Sequence, residues 1–320
     1  MTHPASPKRI VIAVGGNALL KENQRGTWAD QLDSARPVAQ AVVALRRDGH
    51  QVVLTHGNGP QVGTLMLQHA MGEPQVPGLP LHALGAMTQG ELGYLLQTSI
   101  AEIDPGAPTA AILTRVRVED EDPAFENPTK PVGPFYSEED AHRLSRERGW
   151  VVGEDSGRGW RCMVPSPKPV EILELDAIRV LAESGSIVIA GGGGGIPVST
   201  RGGSLCGMAA VIDKDRCSAE LGIALGFDIL VLLTAVPRVV EDFGTRWERP
   251  LWHMSLSETR QRLEAGEFPP GSMGPKIESA ERFASGGGRA AIITDAASLL
   301  AAIRGEDGTW IQAQPEAALL

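Results

Sequence analysis

The chain has 320 residues, 42% of them hydrophobic, enough to bury a full core in one large domain or two smaller ones. Its formal net charge of −10 repels nucleic acid and anionic membrane surfaces, so neither is expected as a partner. The cysteines Cys162, Cys206 and Cys217 show no C-x-x-C spacing, which argues against a disulfide framework or zinc site and for a reducing cytoplasm; no run of eighteen apolar residues occurs, so neither a signal peptide nor a membrane span is expected.

In chain order, the apolar, β-branched run RIVIAV (9–14) predicts a buried strand that ends in the turn Gly15-Gly16-Asn17-Ala18. A helical pattern over Val38–Arg47 leads to a second strand, QVVLT (51–55), closed by His56-Gly57-Asn58-Gly59-Pro60. Leu81–Ile103 is a long apolar helix, and TAAILTRVRV (109–118) a third strand. From Glu119 to Pro169 the sequence turns rich in Pro, Gly and charge, with helical character only around Glu138–Glu147, which predicts an inserted subdomain or lid. The pattern then resumes with a helix over Glu171–Glu183, strand SIVIA (186–190), glycines Gly191 to Gly195, helix Ser218–Leu225, strand DILVLLT (228–234), helix Leu256–Glu264 and strand AAIIT (290–294). Strands alternating with helices predict βαβ units: a three-layer α/β/α sandwich around a mostly parallel sheet, forming a single domain over 1–320.

In such sheets a ligand lies beyond the carboxyl ends of the strands, and here three strand ends are glycine turns. Glycines without Cβ atoms let an anion approach backbone N–H groups, so these turns together point to a phosphate site. Helices beginning near Arg36, Pro60 and Ser218 would add their N-terminal partial charge. The run Gly191–Gly195 is flanked by apolar residues, which favours a buried strand ending in a tight turn over a flexible linker.

The chain uses 23 arginines but only six lysines, so the positions where lysine persists stand out. Lys130 lies in Asn127-Pro128-Thr129-Lys130-Pro131, Lys214 between Asp213 and Asp215, and Lys276 in Gly271-Ser272-Met273-Gly274-Pro275-Lys276. An ammonium on a flexible stem meets phosphate oxygens as a point charge, without the fork geometry of a guanidinium. Asp213 and Asp215 have three open readings: they orient two lysines, hold a magnesium, or cap the helix that follows. His56, His82 and His253 have no metal-ligand spacing, which leaves His56 to support the HGNGP turn.

The motifs VGGNAL, HGNGPQVG, DPAFENPTKPVGPFY, RGWRCMVPSPKP, GGGGGIPV, VIDKD and GSMGPK, collinear from Val14 to Lys276, closely resemble carbamate kinase of the amino acid kinase superfamily. The resemblance implies phosphoryl transfer between ATP or ADP and carbamate or carbamoyl phosphate, with Mg²⁺ held mainly by the nucleotide phosphates, and a homodimer. It implies that Gly15, Gly16, Asn17 and Ala18, with Gly57, Asn58, Gly59, Gly193 and Gly194, hold the carbamate and the moving phosphoryl. By the same resemblance the half from about residue 170 binds the nucleotide through Lys214, Thr234, Ala235, Val236, Met273, Gly274 and Lys276. Asp213 and Asp215 would arrange the lysines, and the insert would deliver Lys130 over the substrate. Two positions depart from the family's pattern: Ala209 stands where it has Glu, and Val240 where it has Tyr. Two other readings remain open: a superfamily kinase acting on another small acid or phosphate, and a nucleotide-sensing homologue without catalysis.

Overall fold

In the computed structural model, which describes residues 6–19, 24, 26–73, 75–155, 157–269 and 273–313, the apolar runs become a central sheet of eight strands. From edge to edge its order is His253–Ser255, Thr309–Gln312, Ala290–Thr294, Ile229–Leu233, Arg9–Val14, Gln51–His56, Ile187–Ile189 and Thr109–Ala111. Every pairing is parallel except that of Ala290–Thr294 with Thr309–Gln312.

Helices cover both faces, so the central strands carry unbroken apolar runs. Along Arg9–Val14, Ile10, Ile12 and Val14 point to the layer built from helices Trp28–Arg47 and Leu81–Ile103, where they meet Val38, Val42 and Leu96. Val11 and Ala13 point to the opposite layer, among Leu221 of helix Lys214–Leu225 and Ile277 and Phe283 of helix Met273–Ser285. The period-two alternation of a strand therefore assigns each residue to one of two separate cores.

Several expected elements change their bounds. The run 109–118 divides into Thr109–Ala111 of the central sheet and Arg115–Arg117 of a second, four-stranded sheet with Glu171–Ile172, Ile196–Arg201 and Ser204–Gly207. The break falls at Thr114, whose N–H donates to Gln89 Oε1 at 2.7 Å and whose hydroxyl accepts from Gly191 N–H at 2.9 Å. The first long helix starts at Trp28, because Thr27 and Asp30 form a capping box there, and it continues through Pro37. Helix Leu175–Glu183 begins after the short strand Glu171–Ile172, and helix Lys214–Leu225 begins four residues before Ser218.

Within the 119–169 segment, strands Lys130–Tyr136, Trp160–Val164 and Val152–Glu154 form an antiparallel sheet of their own, with helix Glu138–Arg148 capped by Ser137. Val132, Cys162 and Val164 of this unit pack on Val62 of helix Gly59–Gly72 and Leu84 of helix Leu81–Ile103. The two backbones touch at Gly63, where a Cβ would stand 1.8 Å from Gly133 Cα. Only glycine fits such an approach.

Candidate active site

The carboxyl ends of Arg9–Val14, Gln51–His56 and Ile229–Leu233 open onto a cleft of about 830 Å³. It is lined by Gly15, Gly16, Gly57, Asn58, Gly59 and Gly193, by Thr234, Ala235, Val236 and Met273, and by Lys130, Asp213, Lys214, Asp215 and Lys276. Gly194 and Gly274 do not line the cleft: a Cβ on Gly194 would meet Ile212 O at 2.2 Å, and one on Gly274 would meet Pro269 O at 3.2 Å. The side chains of Asn17 and Ala18, and Gly271 and Ser272 of the GSMGPK motif, lie outside the described residues.

Asp213 is the N-cap of helix Lys214–Leu225, its Oδ1 accepting from Asp215 N–H at 2.8 Å and Arg216 N–H at 3.3 Å. Its Oδ2 pairs with Lys130 from the inserted unit. Asp215, in the first turn, holds Lys214 through Oδ1 and Lys276 through Oδ2, the latter at 2.8 Å. Of the three readings open for these aspartates, capping falls to Asp213 rather than Asp215, and both orient lysines. Three ammonium groups from three distant segments thus converge on two buried carboxylates.

Burial alone would push the Asp213 carboxyl up, but the ammonium groups of Lys130, Lys214 and Lys276 outweigh it and hold the acid well below its usual range. Burial pushes the Lys214 ammonium down to about 8, against the pull of Asp215, and Lys276 adds to the lowering. Lys276 is raised instead, because Asp215 and Asp213 overcome its burial. The cluster is a pre-formed cationic surface whose charges are fixed by the protein before any anion arrives.

The five glycines have a different explanation from the one expected. Gly191, Gly194 and Gly195 use their N–H groups inside the protein, donating to Thr114 Oγ1, Gly191 O and Gly192 O. A Cβ would collide with His56 Nε2 at Gly192 (2.3 Å), with Asn58 Nδ2 at Gly193 (2.3 Å) and with Val116 at Gly195 (2.2 Å). Close packing therefore requires most of the run, and only Gly193, at φ +64°, faces the cleft. His56 sits wholly buried behind the turn, with burial pushing its imidazole down to about 4, so it stays neutral and structural.

The cleft also contains arginines that the search for rare lysines passed over. Arg158 and Arg161, three residues apart in RGWRC, both line it, and both bind Asp155. Ala209 lies outside the cleft, whereas Val240 lines it, and three residues later Phe243 places an aromatic ring on the same wall.

The profile of the Amino acid kinase family matches residues 8–295. The chain belongs to the amino acid kinase family. It is 44% identical to carbamate kinase of Pyrococcus furiosus over 95% of this chain and 99% of that protein, and equally to carbamate kinase of Clostridium perfringens over the same shares. Carbamate kinase from Giardia lamblia bound to AMP-PNP superposes with a TM-score of 0.87 at 38% identity, over 96% of this chain and 99% of that one. These relatives place the chain in the carbamate kinase branch of the family, whose members are phosphotransferases.

Proposed function

We propose that the cleft transfers a phosphoryl group reversibly between ATP and carbamate, running toward ATP from ADP and carbamoyl phosphate. The observation that carries this reading is the convergence of Lys130, Lys214 and Lys276 on Asp213 and Asp215, in a cleft that the glycine turns and Thr234, Ala235 and Val236 also line. Phosphoryl transfer asks mainly for in-line positioning and cations, and this site supplies both without a nucleophile.

Carbamoyl phosphate lies on the Gly15–Gly16 and Gly57–Gly59 turns, and ADP along Thr234, Ala235, Val236 and Met273. A β-phosphate oxygen of ADP attacks phosphorus; the bond from phosphorus to the carbamoyl oxygen breaks, and its electron pair leaves on carbamate. Carbamate departs as an anion, so no general acid is needed. The Lys214 stem runs beside Gly57, where a Cβ would stand 3.2 Å from Lys214 Cδ, so its ammonium reaches both substrates. Lys276 neutralises the nucleotide phosphates, and Lys130 meets the phosphoryl in flight. Asp213 and Asp215 position the three.

All four carboxylate oxygens of that pair are already engaged by ammonium or backbone N–H groups, which fits a Mg²⁺ held by nucleotide phosphates rather than by protein ligands. Bound with the nucleotide, the ion would supply further positive charge to the phosphoryl group in transfer. The chain works in the cytoplasm, supported by three cysteines without disulfides among the described residues. It forms a homodimer through the outward side of helix Leu81–Ile103, where Met87 and Tyr94 are exposed and Tyr94 stacks on Trp28 at 5.6 Å.

ATP formation from ADP and carbamoyl phosphate, measured beside a nucleotide-binding titration, tests the proposal. Turnover is expected. Nucleotide binding without turnover would make the chain a sensor, and turnover only with another acyl phosphate would make it a different kinase of the family.

A further inference from the structure

Arg161 is the most enclosed cation of the cleft outside the lysine cluster, its side chain 11% exposed. Its Nε donates to Gly133 O at 2.9 Å, and its Nη1 to Asp155 Oδ2 at 3.0 Å. Phe135 covers one face, its ring centroid 5.1 Å from the Arg161 Cζ. Asp155 is itself buried and is braced from the other side by Arg158 Nη2 at 3.3 Å. The guanidinium is therefore locked in position and orientation by a strand carbonyl, a carboxylate and a ring.

One end of it is left for a ligand. Nη2 makes no hydrogen bond among the described residues, and it stands 3.8 Å from where a Cβ on Gly59 would be, directly over the HGNGP turn. The same turn begins helix Gly59–Gly72, whose first N–H groups add positive potential there. Lys130 pairs with Asp213, and Lys214 and Lys276 pair with Asp215. The cleft thus offers two kinds of cation: ammonium groups suited to phosphate oxygens, and in Arg161 a fixed, planar guanidinium suited to a carboxylate.

We propose that Arg161, positioned by Asp155, binds the carboxylate of carbamate, which is the carbonyl end of carbamoyl phosphate, and thereby selects the acyl group of the phosphoryl donor. The inference rests on the function proposed above. When the bond from phosphorus to the carbamoyl oxygen breaks, the electron pair it releases spreads over both carboxylate oxygens, one of which receives the Nη2–H. The contact strengthens as the leaving group gains charge, so it contributes to kcat as well as to KM.

The test compares wild type, Arg161→Ala and Arg161→Lys in ATP synthesis, together with ADP titration. Arg161→Ala should lower kcat/KM for carbamoyl phosphate roughly tenfold to a hundredfold, the range for a hydrogen bond to a charged group, while the Kd for ADP stays within about twofold. Added guanidinium should restore part of the lost rate, which a merely structural role would not allow. Arg161→Lys, which keeps charge without the fork, should fall between the two. If Arg161→Ala loses ADP binding as well, Arg161→Lys decides: a loss confined to carbamoyl phosphate supports the proposal, and an equal loss for both substrates overturns it. Unchanged kcat/KM in Arg161→Ala overturns it while leaving the kinase reading intact. A wild type that makes no ATP from carbamoyl phosphate removes both.

Discussion

Lys130 and Lys214 occupy one cluster but differ in what holds them. Lys130 comes from strand Lys130–Tyr136 of the inserted sheet, and among the described residues its ammonium pairs with Asp213, so the position of that sheet sets where the charge stands. Under the proposed function its contribution belongs to the transition state: Lys130→Ala should cut kcat by a factor on the order of a hundred to a thousand, with ADP affinity nearly unchanged in a binding titration. Lys214 belongs to the helix start, and under the proposed function it meets the nucleotide phosphates in the ground state. Its ammonium, lowered to about 8 from the ordinary 10.5, is charged below that pH and neutral above it, so the Kd for ADP should rise as pH climbs past 8. Stability moves the other way. Between about 8 and 10.5 the unfolded chain binds more protons at this residue than the folded one, so the cost of the buried charge is full below 8 and fades as pH rises. Lys214→Met should flatten both trends, read as ADP titration and Tm against pH.

At the level of elements, the docking of the inserted unit depends on the Gly63–Gly133 contact. A methyl on Gly63 would overlap the Gly133 backbone at 1.8 Å, and neither main chain can yield cheaply. Gly63→Ala should therefore lift the unit, lowering kcat much as Lys130→Ala does and destabilising the fold by an overpacking cost of about 1–3 kcal/mol, read as a lower Tm, while ADP binding survives. The glycine is visible in HGNGPQVG, but its partner seventy residues away is not, because a close approach leaves no local signature. Elements buried on both faces were readable from their unbroken apolar runs. His253–Ser255 and Thr309–Gln312 were missed because each is short and mixed in polarity. Helix Met273–Ser285 was hidden by Gly274 and Pro275, which read as a turn yet sit in its first turn, where proline sacrifices no hydrogen bond. In the site, lysines stood out against an arginine-rich background. That same background concealed Arg158 and Arg161, which only the folded insert brings to the cleft.

For the molecule as a whole, the assembly prediction rests on the outward side of Leu81–Ile103. Met87 and Tyr94 lie seven residues apart on one face, with the exposed Gly90 between them, so a second copy could approach closely. Tyr94→Glu, which puts a charge at the centre of that face, should convert a dimer into a monomer in light scattering with the fold retained by circular dichroism. A wild type that is monomeric at micromolar concentration would refute the dimer.

The single antiparallel pairing of the central sheet carries a consequence for how the chain is made. Thr309–Gln312 lies between Ala290–Thr294 and His253–Ser255, both of which leave the ribosome before it. The strands bearing the Gly15, Gly57 and Gly193 turns can pair early, since all of them precede residue 196 in the chain. The far edge of the sheet must wait, with two strands holding open hydrogen-bonding edges until their common neighbour arrives. Under the proposed function, the turns that hold the acyl phosphate are thus made before the segments that hold the nucleotide. A nascent chain halted past Thr294 would lack one of the eight strands and expose two seams, a natural client for chaperones.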